Sequence, residues 1–116
     1  MKRICTFAAV VTAAAVAAGS AGAATPTLKA FVTDSFKIGV TQGGKSVKTL
    51  KAGKYKIVVD DPSTTHNFHI TGPGLNKKTS VGDKVKVTWT VTLKKGTYKF
   101  VCDPHASFMK GSFTVK

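Results

Sequence analysis

The sequence contains no glutamate, and its acidic side chains are five aspartates, Asp34, Asp60, Asp61, Asp83 and Asp103. Against them stand 18 basic residues, which give a formal net charge of +13 over 116 residues. Catalysis that depends on a pair of carboxylates therefore has few candidate residues. The length allows one compact domain at most, and it excludes a multidomain enzyme, a helical repeat array and a polytopic membrane protein.

The N-terminal segment has the pattern of a secretory signal peptide. Lys2 and Arg3 form a positive start, residues 4–18 are uncharged and rich in Ala and Val, and small residues at 21–24 offer cleavage sites. We expect residues 1–24 to be removed and residues 25–116 to form the functional domain, in the periplasm or outside the cell. A retained membrane anchor is the competing interpretation, which the short length and the scarcity of Leu, Ile and Phe disfavour.

Removing 24 of the 116 residues leaves 92, with 16 lysines, no arginine and a net charge of +11. The remaining chain has one cysteine, Cys102, and one methionine, Met109. An exported domain with a single cysteine forms no internal disulfide, and an unprotected thiol is vulnerable in an oxidising compartment. Cys102 therefore requires a specific role.

Helical periodicity is missing from the rest of the chain. Val, Thr, Phe, Ile and Tyr alternate with Lys, and Gly or Asp-Pro turns interrupt them at short intervals. Residues 84–91 are the clearest case, because Val85, Val87, Trp89 and Val91 share one face. About eight short strands without helices are typical of an antiparallel β-sandwich or barrel. We predict strands near 27–33, 36–41, 46–50, 54–60, 66–71, 84–92, 97–102 and 111–116.

Soft and borderline metal donors gather in one short segment, 100–111. Cys102, His105 and Met109 lie within eight residues of each other. A thiolate, two imidazoles and a weak axial thioether suit copper that cycles between two oxidation states. One loop cannot supply both histidines, so a second histidine must come from elsewhere in the chain.

His66 and His69 are the remaining donors. On a strand covering 66–71, residues three apart point to opposite faces, and His66 shares the face of Phe68 and Ile70. We therefore predict His66 as the ligand and His69 as a surface residue or a neighbour of the ligands.

These residues resemble the cupredoxin family, the small blue copper proteins, and its plastocyanin/amicyanin branch in particular. Cys102-Asp-Pro-His105 is similar to that branch's Cys-x-Pro-His loop, Met109-Lys-Gly111 to its axial Met followed by Gly, and His66-Asn67 to its first ligand. The resemblance implies a cupredoxin-like Greek-key β-sandwich of about eight strands, with one copper ion at one end held by His66, Cys102, His105 and Met109. Three residues separate His105 from Met109, against two in amicyanin and four in plastocyanin, which leaves the Met109–copper distance open.

The resemblance also implies roles for the neighbours of these four residues. Pro104 removes one possible hydrogen bond to the thiolate, and Asn67 ties the His66 segment to the Cys102 loop by its backbone N–H and its side chain. His105 is expected to be the electron port within an apolar patch. Candidates for the patch are Pro73, Leu75, Pro104, Ala106 and Phe108, the last of which is equally compatible with the core.

These observations predict an exported, monomeric type 1 copper protein that carries single electrons and is not an enzyme. Its lysine charge predicts redox partners with an acidic docking surface, and it is compatible with an anionic envelope surface. Nucleic acid is excluded as a partner because the exported domain has no arginine and no binding motif. The alternatives are a copper carrier or scavenger without a redox partner, and a metal-free sandwich that adheres to envelope polymers. A zinc site would not explain Met109.

Overall fold

The computed structural model describes residues 24–116. The predicted signal peptide, residues 1–24, lies outside the described residues except for its last residue. Within 24–116, no helix is long and apolar enough to span a membrane. The only helical element in that range is a single 3-10 turn, Asp103–His105.

Ten β-strands make up the domain, rather than about eight. They are β1 Thr27–Val32, β2 Ile38–Gln42, β3 Lys45–Ser46, β4 Thr49–Leu50, β5 Gly53–Asp61, β6 His69–Gly72, β7 Leu75–Lys78, β8 Val85–Leu93, β9 Gly96–Val101 and β10 Lys110–Val115.

The strands form two five-stranded sheets in a sandwich, in the orders β3-β2-β1-β5-β8 and β4-β10-β9-β6-β7. Several connections cross from one sheet to the other, for example from β5 to β6 and from β8 to β9. The predicted all-β Greek-key sandwich is therefore confirmed. The expectation of purely antiparallel sheets is wrong for two pairs of strands. Strand β1 runs parallel to β5, and β10 runs parallel to β4.

Two sets of connections define the ends of the sandwich. The histidine end consists of connections 33–37, 62–68, 79–84 and 102–109. The distal end consists of the turns at 43–44, 51–52, 73–74 and 94–95. Pairing fixes this assignment, because Asp61 faces Val85 at one end of the β5–β8 ladder while Gly53 faces Leu93 at the other.

Three predicted strands differ from the observed ones. The stretch 46–50 is divided between β3 and β4, because the chain crosses from one sheet to the other at residues 47–48. The predicted strand 66–71 begins at His69, and the strand 36–41 begins at Ile38. Strand β7 was not predicted, because Leu75 is its one buried residue and its pairing depends on β6.

The core lies between the two inner faces. Leu28, Ile57 and Val59 enter it from one sheet, and Ile70 and Tyr98 from the other, all fully buried. Aromatic rings connect this core to the histidine end, where Phe68 stacks on Phe100 with ring centroids 5.7 Å apart. The histidine end is therefore packed directly against the core through an aromatic layer.

Glycine makes room for one of these rings. Gly111 lies directly opposite Phe100 in the β9–β10 ladder, and a Cβ atom at Gly111 would come within 2.5 Å of the Phe100 ring. The ring therefore covers the glycine backbone, and any side chain at this position would displace it.

We expect Gly111→Ala to lower the free energy of unfolding by about 1–3 kcal/mol, because the added methyl group overpacks the Phe100 ring. Urea denaturation measures the difference. Ser112→Ala, at the next and exposed position of β10, is the control and should change stability by less than about 0.5 kcal/mol. Equal stability of the two variants would contradict the prediction.

Candidate metal centre

The connection 102–109 is closed at its base by the strands that flank it. Val101 and Lys110 are paired at the end of the β9–β10 ladder, and the Cys102 N–H donates to the Met109 carbonyl at 3.0 Å. Cys102 and Met109 therefore face each other across the neck of the loop. Both side chains are fully buried.

A 3-10 turn places Cys102 and His105 on one side of this loop. The His105 N–H donates to the Cys102 carbonyl at 2.9 Å, and the turn has three residues per repeat, so side chains at i and i+3 lie above one another. Pro104 occupies an early position of the turn, where its missing N–H removes no internal hydrogen bond. The spacing of the Cys-Asp-Pro-His motif therefore suits this turn.

His66 enters the site from connection 62–68. The strand-parity argument that selected it is wrong, because His66, Asn67 and Phe68 precede β6 and all three are buried. His66 nevertheless lies at the site, since the irregular segment turns inward at this point, whereas His69 begins β6 and remains partly exposed. Alternation does not apply to residues that are outside a strand.

Buried hydrogen bonds fix the segment that carries His66. The Thr79 hydroxyl accepts from the Phe68 N–H at 2.9 Å and donates to the Asp61 carboxylate at 2.9 Å. Asp61 also accepts from the Ser63 N–H. Burial, only partly offset by the hydrogen bonds from Thr79 and Ser63, raises the pKa of Asp61. Thr79 therefore connects the segment to both β5 and β7.

Asn67 ties the His66 segment to the cysteine loop, as predicted for its side chain. Its Oδ1 accepts from the Asp103 N–H at 2.8 Å, and its Nδ2 donates to the Asp103 carboxylate at 2.8 Å and to the Thr79 carbonyl at 3.1 Å. The predicted contact of the Asn67 backbone N–H with the sulfur is not among the hydrogen bonds of the described domain.

Three donor atoms converge at the histidine end. Nδ1 of His66 and Nδ1 of His105 lie 3.1 Å apart, and each lies 3.5 Å from Sγ of Cys102. The circle through these three atoms has a radius of about 2.0 Å, close to the about 2.0–2.3 Å that zinc-sized ions keep to imidazole nitrogen and thiolate sulfur. The triangle therefore fits one metal ion.

The chemistry of the donors also favours a cation. Two imidazole lone pairs and a thiolate that point at one another repel unless protons or a metal ion lie between them. His66 and Cys102 are at most 1% exposed, so water does not relieve the repulsion. Nε2 of His66 is buried without a hydrogen-bond partner. Nδ1 is therefore the ring nitrogen of His66 that faces other polar atoms, those of His105 and Cys102. Two imidazoles, one thiolate and the neighbouring Met109 form a donor set that suits copper.

An apolar surface surrounds the exposed edge of His105. The centroid of the Phe36 ring lies 4.9 Å from that of His66 and 5.2 Å from that of His105. The centroid of the Phe108 ring lies 5.6 Å from that of His105. Phe36 and Phe108 are 51% and 59% exposed, so Phe108 belongs to the surface and not to the core. We call His105, Phe36 and Phe108 the aromatic patch.

Phe36 was not identified from the sequence, where it was placed in a strand. It adopts a φ of 64°, a conformation that is unusual for a bulky side chain, and this directs its ring over both histidines. Pro73 and Leu75 do not belong to the patch as expected. They lie at or next to the distal turn 73–74, where the Pro73 carbonyl accepts from the Tyr98 hydroxyl.

His69 lies beside the site and contacts the cysteine loop through Asp103. Its Nδ1 is 2.9 Å from the Asp103 carboxylate and its Nε2 is 2.7 Å from Oδ1 of Asn76, so the charged ring donates to both. Burial disfavours the charge, but the hydrogen bonds to Asp103 and Asn76 outweigh it and raise the pKa of His69. Burial likewise opposes ionisation of Asp103, yet the hydrogen bonds from His69 and Asn67 lower its pKa.

We expect Thr79→Val to destabilise the domain by about 1–3 kcal/mol, because it leaves the buried Phe68 N–H unpaired and removes a donor from Asp61. Thr79→Ser keeps the hydroxyl and is the control, with a smaller loss. Urea denaturation of both variants checks this. If Val and Ser at position 79 gave the same stability, the hydroxyl would not hold the His66 segment.

The His69–Asp103 pair predicts a pH dependence of stability. In the unfolded chain His69 titrates near its ordinary pKa of 6.5, whereas its pKa in the folded domain is higher. The stabilisation is therefore fully present below about pH 6.5 and is lost as the pH rises through the raised value. Urea midpoints across this range should fall more steeply for the unmodified protein than for His69→Gln. Parallel profiles would contradict the prediction.

Comparisons with known proteins agree with this fold. The sequence matches the family described as cupredoxin-like domain over residues 6–115. No curated protein matches the sequence as a significant relative.

Among solved structures, the domain is similar to reduced rusticyanin, with 20% identity, a TM-score of 0.55 and coverage of 78% of each chain. A rusticyanin variant gives 19% identity and a TM-score of 0.58, covering 78% of this chain and 76% of that one. The reduced Cu(I) form of an amicyanin variant gives 22% identity and a TM-score of 0.51, covering 83% of this chain and 88% of that one. These structures share the fold, and the match over residues 6–115 shows that the chain belongs to the cupredoxin-like domain family.

Proposed function

We propose that this protein is a type 1 copper protein that carries single electrons between redox partners, with His66, Cys102, His105 and Met109 as copper ligands. The observation that carries the proposal is the triangle formed by two Nδ1 atoms and one Sγ, with sides of 3.1, 3.5 and 3.5 Å. Solved structures that share the fold include rusticyanin, named as a copper protein, and a Cu(I) form of amicyanin. Bound copper supplies reversible one-electron chemistry.

Hydrogen bonds within the chain would hold the proposed ligands in one arrangement in both oxidation states of the metal. The neck hydrogen bond between Cys102 and Met109, the turn around Pro104 and the Asn67–Asp103 contacts each fix one part of the ligand loop. Two of these contacts bridge segments that are 36 residues apart. A site that cannot relax toward either oxidation state needs little rearrangement on electron transfer. Such a site is suited to a carrier and not to bond-making catalysis.

His105 is the proposed route for the electron. It is the only one of the four proposed ligands that is not fully buried, and its ring edge opens into the aromatic patch. An exposed apolar surface next to a buried site is typical of an interaction surface. A redox partner would dock on the aromatic patch as a transient complex with this monomeric protein. The net positive charge of the whole chain would attract an acidic partner from a distance, so we expect association to be sensitive to salt, whereas contact at the aromatic patch itself would be mainly apolar.

The proposed compartment is the periplasm or the outside of the cell. This rests on the signal-peptide pattern of residues 1–24 and on the survival of a single thiol in an oxidising environment only when it is buried or ligated. Cys102 meets that requirement, because it is 0% exposed.

We expect the purified protein to bind one Cu(II) ion and to develop an intense visible thiolate-to-copper absorption band. His66→Ala should abolish the band, because it removes one corner of the triangle. His69→Ala is the matched control and should retain it, because His69 contacts only the loop next to the ligands. Absorption and electron paramagnetic resonance spectra measure both. A colourless copper-loaded protein would overturn the proposal.

Voltammetry and electron self-exchange distinguish a carrier of electrons from a carrier of copper. We expect the unmodified protein to give a reversible one-electron wave and fast self-exchange. The variant Phe108→Glu should slow self-exchange because it places a charge in the aromatic patch, and it should leave the visible band unchanged. Sluggish exchange in the unmodified protein would favour copper storage. Thr114→Glu, an exposed change on the far part of β10, is the control for charge.

A further inference from the structure

The lysines and aspartates are divided unequally between the two ends of the sandwich. All five aspartates and six lysines, Lys37, Lys77, Lys78, Lys84, Lys86 and Lys110, lie in or within two residues of the connections of the histidine end. Three more lysines lie along the strands in between. The remaining seven, which we call the distal lysines, accompany no aspartate and are all exposed: Lys45, Lys48, Lys51, Lys54, Lys94, Lys95 and Lys116. The formal charge is therefore nearly balanced at the histidine end and strongly positive at the distal end.

Strand alternation accounts for Lys54, which lies at an outward position of β5, but not for the distal lysines that lie in turns. Lysines such as Lys56 and Lys99 occupy outward positions of long strands, where they keep a sheet face solvated. Lys51, Lys94 and Lys95 lie instead in turns, and the ladder from Gly53 to Leu93 brings those turns side by side. Like charges so close together destabilise a small domain when nothing neutralises them. Their concentration in one place indicates an anionic ligand.

The chain enters the domain at the same end. Strand β1 runs parallel to β5, with Thr27 opposite Lys56, and the Lys56 N–H donates to the Pro26 carbonyl at 2.9 Å. Residues 24–26 therefore lead toward the Gly53 end of β5, which is the distal end. The uncharged residues 4–18 precede them in the sequence. The start of the described domain and the distal lysines therefore lie at the same end of the sandwich.

A shallow pocket adds hydroxyl donors to the distal lysines. It has a volume of about 300 Å³ and is lined in part by Lys45, Ser46, Lys48 and Thr49. Ammonium and hydroxyl groups together provide the hydrogen bonds that phosphate oxygens accept.

We propose that the distal lysines bind the phosphate headgroups of an anionic phospholipid membrane, and that the protein rests there with its histidine end turned away. In this orientation the aromatic patch, at the opposite end, stays open to a partner in solution. Basic clusters of this size bind acidic membranes with about 1 kcal/mol for each lysine near the surface. The proposal concerns where the protein is held, and it does not depend on the identity of the metal.

Sedimentation of the full-length, metal-free protein with phospholipid vesicles tests the proposal. The quantity measured is the bound fraction that high salt releases, which excludes any apolar insertion of the N-terminal segment. We expect salt-reversible binding to vesicles containing phosphatidylglycerol and none to phosphatidylcholine alone. Lys51→Gln/Lys94→Gln/Lys95→Gln should weaken this binding about 100-fold. The control Lys37→Gln/Lys84→Gln/Lys99→Gln changes the net charge equally and should weaken it less than about fivefold.

Equal loss in the two triple variants would show that net charge and not the distal end binds the membrane, and it would overturn the proposal. Binding to soluble polyglutamate without binding to vesicles would assign the surface to acidic proteins and overturn it as well. With the copper-loaded protein, a small soluble reductant should react equally fast in the presence and absence of acidic vesicles. Strong slowing on vesicles would mean that the histidine end faces the membrane, against the proposed orientation.

Discussion

The two hydrogen bonds between the Asn67 side chain and Asp103 join the two segments on which the candidate metal centre depends. His66 precedes Asn67, and Cys102 precedes Asp103, so each proposed ligand is fixed one residue away from this contact. One bond uses the Asp103 backbone N–H and the other its carboxylate, which sets the orientation of the loop as well as its distance. Asn67 is 1% exposed, so its amide is shielded from water, while the Asp103 side chain is 42% exposed and partly open to solvent.

A second layer of buried polar groups supports that contact. Thr79 receives the Phe68 N–H, donates to Asp61, and through its carbonyl accepts from Asn67. The segment that carries His66 lacks the backbone pairing of a strand, so these side chains supply the hydrogen bonds that a sheet would otherwise provide. Below them, the stacked rings of Phe68 and Phe100 connect the site to the core. Rigidity at the histidine end therefore comes from the sandwich and not from the loops alone.

The two ends of the domain differ in their physical character. The histidine end has nearly balanced charge, buried donors and the aromatic patch, whereas the distal end has unneutralised lysines and the start of the described domain. If the protein exchanges electrons at one end, as proposed, attachment at the other end would leave its docking surface free. Net charge alone does not reveal this difference, since it averages over both ends.

Much of the site follows from the sequence because its chemistry is local. Cys102, His105 and Met109 fall within one connection, and the 3-10 turn that contains Pro104 brings the side chains of Cys102 and His105 together. The period-two alternation of residues 84–91 likewise identifies a strand without tertiary information, and the all-β class follows from it. The structure places His66 beside Cys102 and His105, but the argument that selected it assumes a strand at 66–71, and that strand begins only at His69.

Tertiary structure decided what depends on distant segments meeting. Phe36 became part of the aromatic patch because connection 33–37 folds over the histidines, and Pro73 and Leu75 were excluded because their turn lies at the other end. The β7 edge strand exists because β6 offers it a partner, not because its own residues alternate. The sequence by itself determined the fold class and the donor types, since both rest on local periodicity and side-chain chemistry. Only the packing of the two sheets determined which rings surround the metal centre and where the lysines collect, because both depend on contacts between residues far apart in the chain.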